Sequence, residues 1–99
     1  MEALFQFVHL DRSERLEQFI TEKLDKLENK YDWIVKAQVY FKKQEGQDPK
    51  GFICNINLSV PGPQIFAESN EESFEAAGAE TIRDLEKQLA KKKGQMKAY

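Results

Sequence analysis

Two stretches of the chain repeat apolar residues every three or four positions, the spacing at which side chains share one face of a helix. The first stretch runs to about Lys30 and contains Leu16, Phe19, Ile20, Leu24, Leu27 and Tyr31. The second stretch contains Phe74, Gly78, Thr81, Ile82, Leu85 and Leu89. Because each stretch has a single apolar stripe, each predicts an amphipathic helix that packs against the rest of the fold on one side only.

Capping signals predict where these helices begin and end. Asp11, with a glutamate three residues later, has the pattern of a capping box, and Ser13 is a competing N-cap for the first helix. Ser69, also followed by a glutamate three residues later, predicts the start of the second helix. Gly94 is predicted to stop that helix, because glycine often follows the last helical residue.

Outside the helices, apolar and polar residues alternate, which is the period of a β-strand with one buried face. Strands are predicted over residues 3–8, 34–41, 52–60 and 64–69. The predicted core face of the second and third strands comprises Val35, Ala37, Val39, Phe41, Phe52, Cys54, Ile56, Leu58 and Val60. Ile34, Tyr40 and Ile53 are then expected to point away from the core.

The order strand, helix, strand, strand, strand, helix predicts one α+β domain over residues 1–99. A helix between the first two strands favours a parallel crossover, and the short later connections favour an antiparallel meander. With one apolar stripe per helix, both helices are expected on one face of the sheet. The predicted fold is a β-α-β-β-β-α two-layer sandwich with a four-stranded mixed sheet.

The composition narrows the classes of protein to which the chain can belong. It has 99 residues, one cysteine and a formal net charge of −2. A single cysteine cannot form an internal disulfide, which favours a reducing, cytoplasmic compartment. No apolar run approaches the roughly 20 residues of a membrane span, and the first residues lack a secretory pattern. We therefore expect a cytoplasmic protein with no membrane partner.

The net charge hides an uneven distribution along the chain. Residues 1–82 carry a balance of −6, whereas residues 83–99 carry +4. Because salt screens each charge beyond roughly 8–10 Å, the local balance decides which surface attracts a polyanion. The positive end is therefore a candidate for binding a polyanion. The alternative is that Lys91, Lys92 and Lys93 only complement the negative end of a helix dipole.

Basic residues also segregate on the predicted helices. At about 100° per residue, one side of the first helix carries Arg12, Arg15, Lys23, Lys26 and Lys30, with Arg12 included only if the helix starts early enough. Arg83, Lys87 and Lys91 follow one another at four-residue steps on the second helix. If the helices lie side by side, two such rows suit a phosphate backbone, so we expect recognition of structured RNA. The alternative is that both rows are solvent faces.

The residues that could carry catalysis are few. Cys54 falls on an apolar strand face, which favours a small core residue, and His9 follows the first strand in a surface or loop position. One cysteine and one histidine cannot build a zinc site, and the five glycines form no phosphate-binding pattern. The sequence therefore predicts no catalytic residues, no metal and no cofactor, and disfavours an enzyme.

Two segments resemble one known family, the ribosome hibernation promoting factors, also called ribosome-associated inhibitor or sigma-54 modulation proteins. The run from Glu22 to Glu28, followed by the strand-like Val35-Lys36-Ala37, is similar to the family's first helix and second strand. The run from Leu85 to Lys93 resembles the end of its second helix more closely still. The order and spacing of the elements agree along nearly the whole chain.

This resemblance implies a fold similar to double-stranded-RNA-binding domains. It also implies binding to ribosomal RNA of the small subunit, in the channel used by messenger and transfer RNA. Such proteins silence translation by idle ribosomes in stationary phase or stress, without catalysis. The chain resembles short forms, which lack an additional C-terminal dimerisation domain.

The family's RNA contacts carry over to Lys23, Lys26, Lys87 and Lys91. The charge pattern adds Lys30, Arg83, Lys92 and Lys93 as candidate RNA-binding residues. A different hypothesis remains open, in which the chain is a homodimeric protein-interaction module without RNA binding. In that case Ile34, Tyr40 and Ile53 would form an exposed apolar patch on the uncovered sheet face, through which two copies could associate. A weak homodimer is therefore also among the expected assemblies.

Overall fold

The segments with a two-residue apolar period form a four-stranded sheet, and the two segments with a three-to-four-residue period form helices on one side of it. A computed structural model describes residues 1–96. Its elements are β1 (Glu2–Phe7), α1 (Glu14–Lys30), β2 (Lys36–Lys43), β3 (Phe52–Ser59), β4 (Ile65–Glu71) and α2 (Phe74–Met96). The strand order in the sheet is β1-β2-β3-β4, with β1 parallel to β2 and the later pairs antiparallel. The predicted fold class is confirmed.

The core lies between the sheet and the helical layer. Inward-facing strand residues pack against the apolar stripes of both helices, with Phe41, Ile56, Ile20, Leu24 and Leu85 among the largest fully buried side chains. Each helix therefore buries one stripe, as an amphipathic pattern requires, and leaves its charged sides toward solvent. This arrangement places the predicted basic residues of both helices in the helical layer, outside the core.

Both helix starts are set by serines. Ser13 caps α1, and its side chain accepts a hydrogen bond from the Leu16 amide, so Ser13 and not Asp11 is the N-cap. At α2 the prediction of Ser69 was wrong, because Ser69 lies within β4. Ser73 takes the role, since its hydroxyl accepts from the Ala76 amide at 3.0 Å. Gly94 does not stop α2, which continues to Met96.

The start of β2 differs from the predicted strand over 34–41. Ile34 closes a turn onto the Tyr31 carbonyl and is buried in the core, with 3% of its surface exposed. Val35, predicted to face the core, is 64% exposed. The Val35 backbone already bonds to Ser59 and Glu2, but the turn that precedes β2 places Ile34 and not Val35 against the core, so the alternation of β2 does not extend back to these two residues.

The exposed apolar patch predicted from Ile34, Tyr40 and Ile53 is also not formed. Ile34 belongs to the core, and Ile53 is only 4% exposed on the face away from the helices. Ile53 sits between Lys42 and Asn70 of the neighbouring strands, in the interior of the sheet and not at its edge. The exposed apolar residues in the sheet are instead Leu4 and Phe66, on its two outer strands. Two of the three residues expected to form the patch are therefore unavailable to a partner.

Candidate nucleic-acid interface

The two helices lie side by side and run in the same direction. Near their N-terminal ends Arg15 pairs with Glu75 at 2.5 Å, and further along Lys30 pairs with Glu86 at 2.8 Å. Between these two ion pairs Gly78 of α2 lies against Ile20 of α1. A Cβ atom on Gly78 would lie 2.6 Å from Cδ1 of Ile20, closer than atoms can pack. Glycine at this position therefore permits the close approach of α2 to α1.

The basic side of α1 borders a groove between the helices. This groove has a volume of about 450 Å³ and is lined by Lys23, Lys26, Leu27, Asn29, Lys30, Ile82 and Glu86. The three lysines predicted on α1 are thus brought together. Arg12 does not join them, because it precedes the N-cap and donates a 2.6 Å hydrogen bond to Glu17.

The basic row of α2 does not meet that of α1 directly. Glu75, Ile82 and Glu86 are among the α2 side chains that face α1. Arg83 and Lys87 are exposed beyond them, and Arg83 pairs with Glu80 of its own helix. Two carboxylates therefore lie between the two predicted basic rows.

Carboxylates neutralise some of the candidate cations more than others. Lys30 donates to Glu86, and this hydrogen bond, with the attraction between the charges, raises the pKa of Lys30. Lys23 instead lies over the ring of Phe19, with 4.9 Å from Nζ to the ring centre. Within residues 1–96, neither Lys23 nor Lys26 pairs with a carboxylate. Both ammonium groups thus remain available for phosphate.

The three consecutive lysines near the end of α2 separate around the helix. Lys93 extends toward α1, where its Nζ lies 5.7 Å from the ring centre of Tyr31. Lys91 and Lys92 line a different groove, with the segment Pro63–Ile65 after β3. The separation follows from the rotation of about 100° per residue. The run therefore supplies cations to two sides of α2 and does not form one cluster.

Sequence reasoning missed the polar residues that accompany these lysines. Gln64, Gln88 and Gln95 line the same groove as Lys91 and Lys92, and Glu86 takes part in the groove between the helices. Four-residue spacing would place Gln88 on the same side of α2 as Lys91 and Lys92. Gln64 comes from a turn, so only the folded arrangement shows its position.

Comparison with known proteins adds to this geometry. Residues 4–97 match the model of the family described as sigma 54 modulation protein / S30EA ribosomal protein. The chain belongs to this family. A ribosome hibernation promoting factor of Pseudomonas putida is 28% identical over 85 residues, which are 86% of this chain and 79% of the relative. The family resemblance seen in the sequence is confirmed.

Solved structures share the fold. A ribosomal subunit interface protein from Coxiella burnetii superposes with a TM-score of 0.85 at 23% identity, covering 95% of this chain and 99% of that one. The N-terminal domain of Protein Y from Thermus thermophilus gives a TM-score of 0.71 at 19% identity, covering 89% and 91%. At these identities the likeness establishes the β-α-β-β-β-α architecture of this family member.

The two residues considered for nucleophilic chemistry lie in different environments. Cys54 is fully buried in the core of β3, as predicted, and burial raises the pKa of its thiol to about 12. His9 is exposed in the turn after β1, at a φ of 56°. Neither α1 nor α2, the helices of residues 1–96, has the length and apolar content that crossing a membrane requires.

Proposed function

We propose that this chain is a ribosome hibernation factor that binds the small subunit in the channel used by messenger and transfer RNA. By occupying that channel it silences translation by idle ribosomes in the cytoplasm, in stationary phase or stress, and performs no chemistry. The name of the Pseudomonas putida relative and the subunit-interface title of the Coxiella burnetii structure support this class of function. The domain proposed to carry it spans residues 1–99.

The observation that carries the proposal is the concentration of unpaired lysines in the helical layer. Lys23 and Lys26 lie beside the groove between the helices, and Lys87 and Lys91 are exposed on α2. None of the four pairs with a carboxylate of residues 1–96. Lysines that contact phosphates release counterions from RNA, which makes binding strong at low salt and weak at high salt.

The RNA that fits this surface is structured and contacted through its backbone. Stacking of unpaired bases needs exposed aromatic rings. In the helical layer, Phe19 is partly covered by Lys23, and Tyr31 is buried. Within residues 1–96, this layer offers lysines and no fully exposed ring, which favours phosphate contacts that fix position and read shape but do not read base sequence.

The test is a matched pair of charge reversals. Replacing Lys23, Lys26, Lys87 and Lys91 together with Glu should abolish co-sedimentation with small subunits at low salt. The control replaces four lysines of the sheet and its β2–β3 loop, Lys36, Lys42, Lys43 and Lys50, and so makes the same change in net charge. We expect this control to retain most of the binding.

Circular dichroism should show the same fold in both variants, because all eight side chains lie outside the core. Equal loss of binding in the two variants would mean that net charge alone is responsible. Unchanged binding of the helical variant would contradict the proposed surface.

A further inference from the structure

A second groove lies on the side of α2 away from α1. It has a volume of about 350 Å³ and is lined by Pro63, Gln64, Ile65, Gln88, Lys91, Lys92 and Gln95. One wall is therefore the segment that joins β3 to β4, and the other is the last part of α2. None of these seven residues is acidic. We call this feature the outer groove.

The turn beside the outer groove leaves room for a cation. Gly62 has a φ of +86°, a conformation that residues with a side chain rarely adopt. A Cβ atom at Gly62 would lie 3.2 Å from Nζ of Lys92. Because no side chain is present, the Lys92 ammonium can lie against the turn. The lysine is half-buried there and so is more restrained than a fully extended surface side chain.

The walls of the outer groove are fixed by contacts outside it. Gln88 donates a 2.9 Å hydrogen bond from Nε2 to the carbonyl of Phe66, which joins α2 to β4. Ile65 is buried at the base of the same strand. These contacts fix the two walls relative to each other, so the shape of the groove is set before a ligand binds.

The outer groove differs in charge from the groove between the helices. In the latter, Glu86 holds Lys30 at 2.8 Å and reduces the local positive charge. In the outer groove, Lys91 and Lys92 pair with no carboxylate of residues 1–96. The exposed amides of Gln64 and Gln95 add uncharged hydrogen-bond donors and acceptors.

This combination fits the backbone of RNA. Ammonium groups attract phosphate, and amide side chains can bond both phosphate oxygens and the ribose 2′-hydroxyl. We propose that the outer groove binds a second stretch of RNA backbone, with Gln64 and Gln95 as contacts beside Lys91 and Lys92. The inference rests on the proposed function and extends its surface across α2 to the β3–β4 turn. RNA then lies on both sides of α2.

The experiment adds one negative charge to the outer groove without changing a lysine. Gln64→Glu and Gln95→Glu are the test variants, and Gln44→Glu, in the loop at the opposite end of β3, is the control. All three glutamines are exposed, so the fold should persist. We expect each test variant to weaken binding to small subunits about tenfold at low salt, and the control to stay within about twofold.

The outcome separates this inference from the proposed function. If the test variants bind like the control, while a variant with only Lys23, Lys26 and Lys87 reversed loses binding, the outer groove is not a contact and the proposed function stands. If the wild-type chain does not bind small subunits, both are wrong.

A photo-crosslinking amino acid at position 64 identifies the ligand directly. Adducts with ribosomal RNA are expected. Adducts with ribosomal proteins alone would overturn the assignment to RNA.

Discussion

The two halves of α2, residues 74–85 and 86–96, differ in what their side chains contact. In the first half, Phe74 packs edge-on against Phe41 and Phe52, and Gly78 meets Ile20 of α1. In the second half, Leu89 is the last buried residue. The lysines of that half face the solvent, the outer groove or Tyr31.

The same division holds for charge. Arg83 in the first half pairs with Glu80 of the same helix. The four lysines of the second half pair with no carboxylate of residues 1–96. One continuous helix thus has a first half that contacts the sheet and α1, and a second half that adds four lysines to its own sheet contacts, Leu89 and the Gln88 hydrogen bond to Phe66. Core substitutions in the first half should change stability, and substitutions of the lysines in the second half should change RNA affinity.

The largest expected effect concerns Cys54, which the first half of α2 covers. Burial raises the pKa of its thiol from 9.0 to about 12. At pH 9 the native thiolate fraction should be lower than that of the unfolded chain by about three orders of magnitude. Alkylation by iodoacetamide at pH 9, followed by mass spectrometry with and without urea, measures the difference.

The raised pKa also sets a pH dependence. Stability gained from a neutral thiol is complete below pH 9 and is lost as the pH rises toward 12. Native labelling within about tenfold of the unfolded rate would show that the first half of α2 does not exclude solvent from β3.

The next effect is on packing between the helices, at Gly78. Gly78→Leu should lower the free energy of unfolding by about 1–3 kcal/mol, because the added atoms overlap fully buried Ile20. Gly94→Ala is the control in the second half, where a Cβ meets nothing within 4 Å. It should raise the free energy by up to about 1 kcal/mol. Urea denaturation measures both.

The opposite stability changes at Gly78 and Gly94 would contradict the packing and the length of α2 described above. If Gly78→Leu were as stable as the wild type, α1 and α2 would not be in close contact. If Gly94→Ala were destabilising, the C-terminal end of α2 would not be helical under the conditions of measurement.

A smaller effect is expected at Thr81, which joins the first half to the sheet. Its hydroxyl donates a 3.0 Å hydrogen bond to the Cys54 carbonyl in a fully buried position. Thr81→Val keeps the shape and removes the donor, so the free energy of unfolding should fall by about 1 kcal/mol. Thr21→Val on α1 makes the same chemical change at a partly exposed site and should stay within about 0.5 kcal/mol. Equal losses in the two variants would assign the effect to threonine itself and not to this bond.

Much of the fold could be predicted because it depends on local apolar periods. The stripe from Leu16 to Leu27 and the alternation from Ala37 to Phe41 were confirmed as one helix and one strand. Errors arose at the ends of elements, where a local pattern does not fix which residue is the last one. Ser69 has the capping pattern, but Ser69 and the two residues after it pair with β3. The N-cap of α2 is therefore Ser73. Ile34 is buried by a turn and not by strand alternation.

The arrangement of the candidate site was less predictable, for a physical reason. The basic stripe on α1 is a local property, but the side chains that face it belong to α2, more than fifty residues away in sequence. Charge segregation on each helix therefore could not show that Glu75 and Glu86 lie between the rows. The divergence of Lys91, Lys92 and Lys93 was predictable from helix rotation alone. The position of Gln64 beside them depends on how the β3–β4 turn meets α2.

The smallest expected effect comes from Glu86, at the boundary between the halves of α2. Its carboxylate accepts from Lys30 at 2.8 Å and so competes with phosphate for that lysine. Glu86→Gln should release Lys30 and strengthen binding to small subunits a few-fold at low salt, with the salt slope steeper by about 1. Asp25→Asn removes one negative charge from an exposed position on α1 outside the groove and is the control.

The pair is exposed, so its loss should leave stability nearly unchanged, and the two variants should unfold at similar urea concentrations. The salt slope is the decisive measurement, because a change in net charge alone would strengthen binding equally in both variants. If Glu86→Gln and Asp25→Asn have the same slope, Lys30 is not a phosphate contact. The cations that bind RNA would then begin at Lys23 and Lys26 on α1 and continue only on the second half of α2.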